Sequence, residues 1–239
     1  MQLNVPGRFN KNASSVQALG TQSETGTLLI EYMCERLAVS NLGALDVLDF
    51  GCGCRFAEAI VNNRLPVHSY VGIDLDSEMI AWLNGNVRDP RLSFYHWNAR
   101  NPMYNPYGFH MTTAAELPVH NQTYDLICMF SVVTHQLPED TGAIFRLLRH
   151  CIRPHGRMFF SANIQNFTEE YREMSVTPAL DSAYSERALR KLLERSGWRV
   201  LTRAGKNPQD ARGRAMPIQD SLLCAPTSPI RRILRSLRE

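Results

Sequence analysis

Val47-Leu48-Asp49-Phe50-Gly51-Cys52-Gly53-Cys54-Arg55-Phe56-Ala57 carries an apolar strand into an acidic residue, a Gly-x-Gly turn and the start of a helix. Further on, Tyr70-Val71-Gly72-Ile73-Asp74 repeats the opening of that pattern, a short apolar strand that ends on a carboxylate. A glycine turn lets the backbone pass close beneath a ligand, because no Cβ intervenes. A carboxylate at the tip of the next strand accepts hydrogen bonds from both hydroxyls of a ribose. Together the two stretches predict a nucleoside crevice at the carboxyl ends of parallel strands.

The turn also separates two kinds of nucleoside site. A dinucleotide fold places G-x-G-x-x-G after its first strand, so that a helix N-terminus faces a pyrophosphate. Here Asp49 stands two positions before the first glycine, and no third glycine follows at the pyrophosphate spacing. A carboxylate there repels a pyrophosphate. It suits a ligand with a cationic amino-acid end, as in S-adenosylmethionine with its ammonium and sulfonium.

On these residues the chain resembles the class I S-adenosylmethionine-dependent methyltransferases over roughly residues 25 to 226. Val47 to Gly53 is similar to that family's first motif, and Asp74 stands at its ribose-binding position. Tyr124-Asp125-Leu126-Ile127-Cys128-Met129-Phe130-Ser131 resembles its fourth strand. Leu148 to Phe160 resembles the helix, turn and fifth strand written L-x-P-G-G, with His155 in place of the first glycine of that turn. The third glycine of the first motif is missing: either Arg55 stands in its place or one residue has been deleted. The resemblance implies an α/β Rossmann-like fold: a doubly wound sheet of about seven mostly parallel strands, the last antiparallel, with helices on both faces.

Composition agrees with one domain of this kind. A chain of 239 residues with 44% hydrophobic content buries one large core. The net charge of +3 gives no footprint for nucleic acid. Residues 1 to 20 are polar and lack the apolar centre of a secretory signal, and no apolar run is long enough to span a membrane. Of the six cysteines, Cys52, Cys128, Cys151 and Cys224 sit among apolar neighbours and read as free core thiols. Cys52 and Cys54 have one residue between them and no second cluster, so neither zinc nor another metal is expected. A reducing cytoplasm is the expected compartment.

The chain divides into a flexible arm or lid over 1–24, the methyltransferase-like domain over 25–226, and a tail over 227–239. Strands are expected at 44–50, 68–73, 92–97, 125–130, 157–162, 198–203 and 221–225. Helices are expected at 27–37, 56–62, 77–84, 138–151 and 185–196, with Ser77 as an N-cap. Strands alternating with helical patterns make a parallel sheet covered on both faces. Residues 100 to 121 have no regular pattern and carry prolines, aromatics and histidines. Long irregular loops in compact domains are usually functional or disordered, and this one is the expected acceptor-facing loop.

Asp49, Gly51 and Gly53 are expected to shape the methionine end of the cofactor pocket and Asp74 to hold the ribose. Leu75, Phe130 and Ser131 stand at strand tips on the same side, and Asn98 is a candidate for the adenine amino group. Methyl transfer to a neutral hydroxyl needs alignment and removal of a proton. Candidate bases therefore lie just beyond strands four and five. His135, in Ser131-Val132-Val133-Thr134-His135-Gln136-Leu137-Pro138-Glu139-Asp140, is such a residue, and histidine suits that task near neutral pH. Alternatively it caps the following helix. Tyr104, Asn105, Tyr107 and His110 are candidates for an acceptor-binding wall.

The segments Ser131–Asp140, Tyr104-Asn105-Pro106-Tyr107-Gly108 and Gln219-Asp220 resemble those of bacterial members near polysaccharide and glycolipid pathways. The implied activity is O-methylation of a small molecule or glycan-linked hydroxyl. A phenolic or quinol acceptor, a silent S-adenosylmethionine-binding protein and a nicotinamide-dependent oxidoreductase stand as alternatives. The tail sets Ile230, Ile233, Leu234 and Leu237 on one helical face beside four arginines, a pattern suited to a membrane surface at the inner face or to a partner. A homodimer is left open.

Overall fold

The computed structural model describes residues 2–11, 19–111, 115–119, 122–174, 181–216 and 218–227. Its helices are α1 (Gln22–Leu37), α2 (Arg55–Asn62), α3 (Ser77–Asn86), α4 (Pro138–Cys151) and α5 (Glu186–Arg195). Its strands are β1 (Leu42–Phe50), β2 (Val67–Asp74), β3 (Leu92–His96), β4 (Tyr124–Met129), β5 (Ile152–Ile164), β6 (Tyr171–Glu173), β7 (Ser182–Tyr184), β8 (Trp198–Ala204) and β9 (Asp220–Pro226).

Strands β3, β2, β1, β4 and β5 lie side by side in that order, every pair parallel. β9 then runs antiparallel to β5, and β8 antiparallel to β9. The order reverses between β1 and β4, which opens a crevice at their carboxyl ends, where open α/β sheets bind ligands. The expected Rossmann-like sheet is therefore present, with the β6–β7 hairpin added at the tip of β5.

Alternation along the strands builds the core on both faces. Val47, Leu126, Phe159 and Leu223 face α1, α2 and α3 and pack with Met33, Ile60 and Leu83. Their neighbours Leu48, Ile127, Phe160 and Leu222 face α4 and α5 and pack with Phe145, Leu148 and Leu189. Successive residues of a strand point to opposite faces, so a sheet covered on both sides reads as continuous apolar sequence. That is why Leu126 to Met129 of β4 form an unbroken apolar run.

Several boundaries differ from expectation, each for a local reason. α1 begins at Gln22 because Thr21 and Glu24 form a capping box, Thr21 Oγ1 accepting from Glu24 N–H and Glu24 Oε2 from Thr21 N–H. The cap of α3 is Asp76, which accepts from Met79 N–H, and Ser77 is the first helical residue. β5 starts directly at Ile152, and the irregularity beside Pro154 and Gly156 shows as a shift in register with β4.

The polar start is not a free arm in its described part. Leu3 and Phe9 are buried, and Asn62 holds both the amide and the carbonyl of Leu3. Phe9 packs on Trp82 with ring centroids 5.9 Å apart. The basic tail over 229–239 lies outside the described residues. Among the described residues no helix is long and apolar enough to cross a membrane.

Candidate functional site

The strand tips enclose one cavity of about 1070 Å³. Asp49, Gly51, Gly53, Asp74, Leu75, Phe130, Ser131, Tyr104 and His135 all line it. Thus eight of the cofactor and base candidates, nine residues with Tyr104 included, meet in one space. The turn that shapes its floor is tied to β2, since Gly51 and Cys52 N–H both donate to Ile73 O, at 2.8 and 3.0 Å. Gly51 and Gly53 have φ of +75° and +53°, backbone that a side chain rarely adopts.

Asp74 closes the turn from the tip of β2. Its Oδ2 accepts from Gly53 N–H at 2.9 Å and its Oδ1 from Asp76 N–H at 3.0 Å. A carboxylate has about four lone-pair sites, so two remain for a ribose diol. Burial pushes the Asp74 carboxyl above its usual pKa, and the two backbone amides work against that shift.

Asp49 is buried deeper, at 3% exposure. Burial pushes its carboxyl up to about 7, while hydrogen bonds from the Tyr70 hydroxyl and the Cys128 thiol pull it down. The Tyr70 bond to Asp49 Oδ2 is 2.6 Å long. Arg55 also lines the cavity, and its charge and that of Asp49 favour each other. Burial raises the thiols of Cys52 and Cys54, that of Cys54 to about 12, which makes both poor nucleophiles.

The loop after β4 carries the candidate base. Ser131 has a left-handed φ of +57°, and its N–H donates to Ser161 Oγ at 2.8 Å. A 3₁₀ turn over Val133–His135 follows. The carbonyl of His135 accepts from Asn101 Nδ2 at 2.7 Å. The carbonyl of Gln136 accepts from Ser182 Oγ at 2.8 Å and Tyr184 Oη at 3.0 Å. These bonds fix the backbone that presents the imidazole.

The remaining candidates fall elsewhere. Asn98 is exposed outside the cavity, its Oδ1 accepting from Asn105 Nδ2 at 2.9 Å, and the indole of Trp97 lines the cavity instead. Asn105 spends its amide on Asn98 and on Ala99 O, so it shapes the loop. Tyr107 is 96% exposed, and His110 is exposed. Of the expected aromatic wall only Tyr104 reaches the cavity.

Lys11, Gln136, Lys206 and Gln219 line the cavity without having been singled out as site residues. Lys11 follows the buried Phe9; its ammonium bonds Asp76 Oδ2 at 2.7 Å and lies 5.0 Å from the Tyr104 ring centre. Gln219 stands in the Gln-Asp pair that opens β9, which was the available signal for it. Lys206 sits between β8 and β9, in a stretch with no periodic pattern.

The sequence model of a family described as "Methyltransferase domain" matches residues 8–203. Among solved structures, an S-adenosylmethionine-dependent methyltransferase from Methanosarcina mazei is 15% identical with a TM-score of 0.55, covering 77% of this chain and 93% of its own. A glycopeptide N-methyltransferase complexed with sinefungin is 13% identical with a TM-score of 0.58, covering 85% and 87%. Magnesium protoporphyrin IX methyltransferase from Synechocystis PCC 6803, with bound S-adenosylmethionine, is 15% identical with a TM-score of 0.54, covering 91% and 86%. At these identities the likeness is one of fold.

Proposed function

Because the chain belongs to the methyltransferase-domain family, we propose that it methylates a hydroxyl oxygen of a small molecule or a glycan-linked acceptor. It is a class I enzyme, and S-adenosylmethionine is its cofactor. The residues present fit that group. Nothing lies within 4 Å of where a Cβ on Gly53 would stand, so the turn offers open space to a ligand. Asp74 has lone pairs left for a ribose, Trp97 and Met79 supply apolar surface, and Asp49 and Arg55 supply one charge of each sign. When bound, the cofactor supplies a methyl carbon already activated by its sulfonium.

The observation that carries the oxygen reading is His135 on the wall of the same cavity. A neutral hydroxyl must lose its proton as its oxygen attacks, and an imidazole nitrogen takes it. The held carbonyls of His135 and Gln136 fix the backbone that carries that ring.

Gln219 orients the acceptor in this scheme. Ser161 Oγ accepts from Ser131 N–H, so its one proton goes to Gln219 Oε1, 3.0 Å away. The Gln219 carbonyl is thereby engaged and its NH₂ is left as a donor toward an acceptor oxygen. Tyr104 supplies an aromatic surface for a sugar ring or another planar face.

Cytoplasmic residence and contact of the 229–239 segment with an anionic membrane belong to the same proposal, and would bring a lipid-linked acceptor within reach. Matched alcohols and amines on sugar and phenol scaffolds, incubated with methyl-labelled cofactor, test the oxygen reading. Label on the alcohols alone is expected; label on the amines alone would reverse it.

A further inference from the structure

Arg55 stands where the resemblance would put a third glycine, at the first residue of α2, and it lines the cavity beside the Asp49–Gly53 turn. Its position is clamped from α1. A Cβ built on Gly26 would lie 2.7 Å from the Arg55 carbonyl oxygen, 2.9 Å from Ala59 Cβ and 3.0 Å from Arg55 Cγ. A glycine at that crossing therefore lets α1 hold the backbone and stem of Arg55 closely.

The head of the side chain carries the charge that faces Asp49. Burial lowers the guanidinium to about 10, so it stays charged at neutral pH, and Asp49 favours that charge. Asp49 already takes hydrogen bonds from Tyr70 and Cys128. Among the described residues the guanidinium donates no hydrogen bond to protein. Arg55 lines a cavity with a nucleoside-type floor, and its guanidinium carries five donors in a planar fork. That fork matches a carboxylate in two parallel bonds.

We propose that Arg55 binds the carboxylate of the cofactor's amino-acid end and so selects a nucleoside that carries the whole amino acid. This inference rests on the cofactor reading above. Asp49 then faces the ammonium, and the pair recognises a zwitterion by its two charges. The turn that lacks a third glycine then carries a residue with a binding task.

The test is calorimetric titration of the full chain, Arg55→Met and Arg55→Lys with S-adenosylhomocysteine and with methylthioadenosine. The second ligand keeps the thioether nucleoside and lacks the amino acid. Arg55→Met should bind S-adenosylhomocysteine about tenfold or more weakly and methylthioadenosine as the parent does. Arg55→Lys keeps the apolar stem and one charge without the fork, so it should fall between them. It also gives a readable comparison if the Met variant fails to fold. Equal weakening for both ligands, or none for either, would overturn the assignment. A parent chain that binds both ligands equally would overturn it too, with the cofactor reading intact. A parent that binds neither would remove the cofactor reading and this inference with it.

Discussion

The imidazole of His135 meets the ring of Tyr104 edge to face, with centroids 5.6 Å apart and planes at 83°. One residue comes from the turn after β4 and the other from the irregular loop after β3. Their contact joins the proposed base to an aromatic of that loop that reaches the cavity. On the proposed reading, an acceptor seated against Tyr104 lies beside the proposed base.

His135→Ala should lower turnover on a hydroxyl acceptor about a hundredfold and leave the affinity for S-adenosylhomocysteine nearly unchanged. Steady-state rates and a ligand titration on the same protein check both halves. Equal turnover would leave alignment alone, or another base, to carry the reaction.

Stability and ligand affinity should depend on pH in opposite senses through Asp49. Its carboxyl is raised in the folded chain to about 7, chiefly by burial. A raised group stabilises the fold while protonated, so this contribution is full below the usual carboxylate pKa and is lost as pH climbs through about 7. A cationic ligand end favours the ionised form, so affinity for S-adenosylhomocysteine should rise over the same window. Tyr70, Cys128, Asp74 and Arg55 are the charged and titratable groups that act on it. Thermal unfolding and titrations of the parent and Asp49→Asn from about pH 5 to about pH 8 check this. The Asn variant should lose both slopes.

Gly51→Ala tests the turn. A methyl there would run into Val132 Cγ2, and the φ of +75° is strained for any side chain. We expect a loss of about 1–3 kcal/mol in stability and weaker ligand binding together. Denaturant unfolding and the same titration measure the two.

Much of this site was legible because its chemistry is local. Gly51, Gly53 and Asp74 lie in two short stretches whose strand-turn pattern forces the crevice, and all three line it. The loop from 100 onward gave no such guide. Tyr104 and Tyr107 are three residues apart in a segment without periodicity, and only packing decides that one faces inward and the other out. Asn98 was misplaced for the same reason: the residue after a strand tip points where its loop sends it, here to Asn105. The β6–β7 hairpin escaped notice because three-residue strands carry too little alternation to read.

The start of the chain gives a related lesson and a further prediction. A polar composition concealed two buried anchors, Leu3 and Phe9, with Val5 half-buried against the core between them. Phe9→Ala should remove the packing on Trp82 and cost about 3 kcal/mol, seen as a lower unfolding midpoint. Because Lys11 follows and bonds Asp76 beside the ribose carboxylate, ligand affinity should fall as well. Unchanged affinity in a folded Phe9→Ala protein would separate this segment from the site.

Calorimetric titration with S-adenosylhomocysteine, with NAD as control, tests the central claim most directly. The account predicts micromolar binding of the first and none of the second, since Asp49 beside the turn welcomes a cationic end and repels a pyrophosphate. Binding of NAD, or of neither ligand, would contradict it.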